Sequence, residues 1–140
     1  MILARGRTYV LDWELALWGD PVYDLAVHLH KMGYSPAEYA AAQAAWLTAV
    51  PGHASAAWEP DLHAYLTHER IKSAIVGTIR HTKISASGSA TKEREAELAG
   101  KIVGKLGAAH ATGGNWTARS PLDREEIMSL IRQWAHKRPS

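Results

Sequence analysis

The chain has 140 residues, with 16 Lys and Arg against 14 Asp and Glu, a formal net charge of +2 and no cysteine. That length supports one domain with a real core, and the missing thiols exclude a disulfide scaffold or cysteine chemistry. Met1 to Ala4 is too short for a signal-peptide core before Arg5, and no stretch approaches the roughly 20 apolar residues of a membrane span. A cytoplasmic protein with no membrane partner is expected. The eight histidines are scattered rather than spaced as a metal box.

In chain order, residues 2–12 read as a small hairpin. Ile2-Leu3-Ala4 forms one side, Thr8 to Leu11 the other, and Arg5-Gly6 the turn, because glycine accepts positive φ at little cost. The second strand ends at a carboxylate, Asp12. A loop of mixed aromatics follows, with Trp13, Glu14 and Trp18, and then Gly19-Asp20-Pro21 starts a helix. Asp20 can accept from free N–H groups of the next turn, and Pro21 loses no bond at a first helical position. Asp12 is thus presented where a strand meets a loop, a common place for functional groups.

Val10-Leu11-Asp12-Trp13-Glu14, Gly19-Asp20-Pro21 and Asp24-Leu25-Ala26 occur in order and at a definite spacing. This pattern resembles the metal-binding segment of the aminoglycoside phosphotransferase and choline kinase-like family. The resemblance implies that Asp12 is the metal ligand and that Asp12 and Glu14 form the cofactor-binding pair, with Mg2+ and ATP as the cofactors. A hard Mg2+ takes one or two carboxylates and completes its shell with phosphate oxygens and water. The family also carries a His-Gly-Asp motif with the catalytic aspartate, a metal-binding asparagine and a nucleotide lobe, all upstream of this segment. The eleven residues before Asp12 contain no His, Asp or Asn, and Asn115 is the only asparagine. No catalytic residue is therefore assigned. The chain is expected to be the C-terminal part of such an enzyme.

From Asp20 to Met32, Val22, Leu25, Ala26 and Leu29 recur at helical spacing, and Gly33 ends the helix. Ser35-Pro36-Ala37-Glu38 is a capping box that opens a second helix to about Val50, with Tyr39, Trp46 and Leu47 facing neighbours. Glu59-Pro60 begins the longest helix, which carries Leu62, Tyr65, Leu66, Ile71, Ile75, Val76 and Ile79 into the low eighties. Ser85 to Ser89 is a loop. Residues 91–109 form a fourth helix with Leu98, Ile102, Leu106 and Ala109 on one face. After Gly113-Gly114, Ser120-Pro121-Leu122-Asp123 caps a last helix with Ile127, Leu130, Ile131 and Trp134 on its core side. The fold class is mainly α: a small N-terminal β-hairpin followed by about five helices, resembling the C-terminal lobe of a protein kinase-like fold. It is taken as one domain, 1–140, with residues 1–19 as hairpin and metal loop and 20–140 helical.

His28 and His30 do not face each other on a helix, so with His63 and His68 they make no zinc site. Glu59, Asp61 and Glu69 are weighed as an acidic wall for a cationic substrate against a solvated helix face. Lys92, Arg94, Lys101 and Lys105 alternate with Glu93, Glu95 and Glu97, a mixed surface that argues against a nucleic-acid partner. The leading reading is a fragment of an ATP-dependent phosphotransferase that moves a γ-phosphoryl group to a small hydroxyl-bearing substrate, inactive alone. The alternative is a non-catalytic helical module that binds a partner. In either case an apolar edge with Trp13 or Trp18 should drive self-association or recruit the missing lobe.

Overall fold

The computed structural model of this protein describes residues 2–9, 19–87, 90–112 and 122–136. It is mainly helical. Strands β1 (Ile2–Ala4) and β2 (Arg7–Tyr9) pair antiparallel, with Ile2 opposite Tyr9 and Ala4 opposite Arg7. Arg5 and Gly6 both take positive φ, 49° and 71°, which matches the turn to the right-handed twist of the strands. The described part of the second strand ends at Tyr9. Val10 and Leu11 lie outside the described residues, as do Asp12, Trp13, Glu14 and Trp18.

Five helices follow: α1 (Pro21–Met32), α2 (Pro36–Ala49), α3 (Trp58–Ser85), α4 (Lys92–His110) and α5 (Arg124–His136). Helix α3 is the spine, 28 residues and about 42 Å long at 1.5 Å per residue. Its first half carries α1, and α1 in turn carries α2; its second half runs antiparallel to α4, which carries α5. The antiparallel sense follows from Lys105 lying against Ser73 and Gly77, while Glu95 shares a hollow with Ser85.

Each helix start has a local cause. Asp20 caps α1 by accepting from the Val22 N–H, and Gly33 closes it in the left-handed region at φ 64°. Ser35 and Glu38 complete the capping box of α2, and Thr91 caps α4. Asp123 and Glu126 exchange backbone and side-chain hydrogen bonds at the start of α5. Helix α3 starts at Trp58, earlier than Pro60 suggests, because proline is tolerated anywhere in a first turn whose N–H groups lack helical partners.

Two apolar clusters hold the bundle. Val22, Leu25, Ala26 and Leu29 from α1 join Leu62 from α3, wrapped by Tyr39, Trp46, Trp58 and Tyr65. Ala99, Ile102 and Ile127 form the second cluster between α4 and α5. The structure corrects three expectations. Helix α2 has no buried residue and is a cover rather than a packed core helix, with Leu47 exposed. Ile75, Val76 and Ile79 are more than half exposed, at 54%, 57% and 53%, because α1 and α4 cover only two faces of α3 among the described residues. On α5, Ile127 is buried but Leu130 and Trp134 face outward.

Candidate functional site

The expected metal residues Asp12 and Glu14 lie outside the described residues, so the site's geometry is that of the segment leading away from them. At Gly19-Asp20-Pro21 the chain turns into α1, and Asp20 is committed at both oxygens. One accepts from the Val22 N–H at 2.9 Å and the other from the Tyr65 hydroxyl at 3.0 Å. This second bond ties the start of α1 to the first half of α3 and raises the pKa of the Tyr65 phenol. Each Asp20 oxygen thus holds one hydrogen bond, and the residue pins the start of α1. Asp24 is exposed in the first turn of α1, where the helix dipole favours a negative charge.

One turn further, a polar triangle closes between α1 and α3. The Tyr23 hydroxyl donates to Glu69 at 2.9 Å, and Lys72 donates to Glu69 at 2.9 Å and to the Tyr23 oxygen at 3.0 Å. Glu69 is 3% exposed. Burial acts to raise its carboxyl pKa, but the hydrogen bonds from Lys72 and Tyr23 and the Lys72 charge outweigh it and hold the group below the usual carboxylate range. The Tyr23 ring meets Tyr65 edge-on at 5.4 Å between centroids. Glu69 therefore does not join Glu59 and Asp61, which are exposed, in an acidic wall. It is an internal strut.

His28 shares a hydrogen bond of 2.7 Å with Tyr34, and His30 faces a different hollow. Among the described residues no three His, Cys, Asp or Glu come together as a metal cluster. On α4, Arg94 and Lys101 both pair with Glu97, which accounts for the mixed charge there, while Lys105 stands apart and turns toward α3. The Tyr23–Glu69–Lys72 triangle escapes sequence reasoning because its partners lie 46 and 49 positions apart. Its only linear signal is Glu69 three residues before Lys72, an ordinary helix pair.

Residues 1–58 match the phosphotransferase enzyme family. No curated protein and no solved structure matches the chain. The family match spans the hairpin, α1 and α2 and stops at the first residue of α3. It agrees with the resemblance carried by Asp12, Glu14, Asp20 and Asp24, and over that span the chain is phosphotransferase-like. No helix among the described residues is long and apolar enough to cross a membrane.

Proposed function

We propose that the chain forms the metal-binding segment and helical lobe of an ATP-dependent phosphotransferase that moves a γ-phosphoryl group to a small-molecule hydroxyl. The family match over residues 1–58 carries this reading. Asp12 is the metal ligand, Glu14 assists it, and the cap and hydrogen bond at Asp20 fix the helix that follows. Mg2+, when bound, neutralises charge on the transferred phosphoryl group. The role of this chain's own residues is to seat that segment on α1, with Tyr65 and Glu69 of α3 bracing α1 from behind.

A catalytic His-Gly-Asp motif and a phosphate loop with its lysine are not among these 140 residues. Transfer therefore requires groups from outside them, supplied by further sequence or by a second chain. Losing a general base costs about 10²–10⁴-fold, and losing nucleotide positioning adds to it. The 140-residue chain, incubated with Mg2+ and ATP, should show no hydrolysis or transfer above buffer. Robust turnover abolished by Asp12→Ala would overturn this part of the reading. An in-frame His-Gly-Asp followed by an asparagine in the coding DNA upstream of Met1 would complete the enzyme.

The competing reading, a partner-binding module, gains from the exposed Ile75, Val76 and Ile79 stripe. It predicts that Asp12→Ala leaves every property of the completed protein unchanged, whereas the phosphotransferase reading predicts loss of transfer.

A further inference from the structure

Between α1, α3 and α4 lies an open cleft of about 560 Å³, distant in sequence from the Asp12 segment. Lys31 enters from α1, Lys72 and Arg80 from α3, and Lys105 from α4. Glu69 is the one carboxylate among the described residues that line it, and its charge is already taken up by Lys72 and the Tyr23 hydroxyl. The other cations thus face the cleft without a compensating acid in its lining. The whole chain carries a formal charge of only +2, so this is a local concentration rather than a general bias.

Two features show that the cleft is shaped and not merely a gap between solvated lysines. Lys105 is laid along its floor. Its amine donates to the Ser73 hydroxyl, and its stem crosses Gly77 so closely that an added Cβ would stand 2.6 Å from the Lys105 Cδ. A lysine fixed in this way has given up much of the rotamer freedom that a surface lysine keeps. His81 also lines the cleft, and its Nδ1 is sealed from solvent with no hydrogen-bond partner among the described residues.

The electrostatics agree. Burial first, then Lys105, Lys101, Arg80 and Arg94, push the His81 imidazole below its ordinary pKa. Burial does the same to His30, where Glu69 acts in the opposite sense and Lys105, Arg70 and Lys31 reinforce the lowering. At His81 the surrounding cations add to the effect of burial, whereas at His30 burial dominates and Glu69 opposes it; a neighbouring hollow that shares His30, Ser73 and Lys105 extends the cleft past Arg70.

We infer that this cleft binds a small, multiply charged phosphate-bearing anion, held chiefly by Lys105, Arg80 and Lys31. Convergent cations on rigid helices suit several phosphate oxygens at once, since charge-assisted hydrogen bonds are about twice as strong as neutral ones. A cleft of this volume accommodates a small molecule.

The test is calorimetric titration of the full chain at about 0.1 M salt, where the Debye length is about 10 Å. Inorganic tripolyphosphate is one probe and fructose 1,6-bisphosphate the other, which separates an inorganic from an organic phosphate source. Saturable binding of either probe is expected, weakened about tenfold or more in Lys105→Gln and largely retained in Lys105→Arg. Lys92→Gln removes the same charge at the far end of α4 and should change affinity less than about twofold, because screening confines surface charge effects to roughly a Debye length. Absence of saturable heat with both probes would overturn the inference. So would equal losses in Lys105→Gln and Lys92→Gln, which would reduce the effect to bulk charge.

Discussion

The two halves of α3 are built on different terms. In the first half, Leu62 is buried against α1, and Tyr65 and Glu69 hydrogen-bond to α1 side chains, so apolar packing and polar bonds hold the same partner. The second half packs on α4 through small residues, Ala74 and Gly77, and leaves Ile75, Val76 and Ile79 outside. One half is a braced joint that fixes the start of α1. The other is a close-approach surface bordered by a cationic cleft, which Val76 also lines, with Ile75 and Ile79 exposed beside it. Helical periodicity alone does not separate these cases, because it reports that a residue is apolar and not whether a neighbour exists to cover it.

The contrast can be broken by paired substitutions. Leu25→Ala removes a side chain 4% exposed at the centre of the first cluster and should cost about 2–5 kcal/mol. Chemical denaturation of the two proteins side by side would show it as a fall in midpoint at unchanged slope. A loss below about 1 kcal/mol would mean that the joint is looser than drawn.

Asp20→Ala should come next. The cap alone is worth about 1 kcal/mol, and the hydrogen bond to Tyr65 disappears with it. Tyr65→Phe in the same background should then add little, since both variants break the same bond. Additive losses would disprove the shared contact.

A smaller, pH-dependent effect belongs to the cleft side. His30 and His81 have folded pKa values below 6.5, so the unfolded chain binds protons more readily there. Their contribution to stability is present above pH 6.5 and is lost as the pH falls from there toward the folded values. The denaturation midpoint should therefore decline between about pH 7 and 5, before the carboxylates titrate. Replacing both histidines with asparagine should flatten that decline. Ile79→Ser closes the series: at 53% exposure it should shift stability by about 0.5 kcal/mol or less, against the large loss at Leu25.

Much of this was written in the sequence. Val22, Leu25, Ala26 and Leu29 are spaced for one face and are all buried, and the caps at Asp20 and Ser35 act where their residue types require. What the sequence did not carry is anything set by three helices meeting. Lys31, Lys72, Arg80 and Lys105 look like ordinary solvated lysines and arginines until α1, α3 and α4 place them around one hollow. Glu69 reads as surface acid for the same reason, since only the approach of Tyr23 buries it. Ile75, Val76 and Ile79 mislead in the other direction: their pattern promises a core that no described helix supplies. The Asp12 and Glu14 assignments rest on motif order together with the family match.

The most direct test of the central claim is paramagnetic broadening of amide NMR signals on titration with Mn2+, a hard oxygen-seeking stand-in for Mg2+. If Asp12 is the metal ligand, broadening begins at residues around Asp12 and Glu14, reaches the first turn of α1, and vanishes in Asp12→Asn. Broadening spread evenly over the exposed carboxylates, or unchanged in Asp12→Asn, would contradict the assignment of this segment as a phosphotransferase metal site.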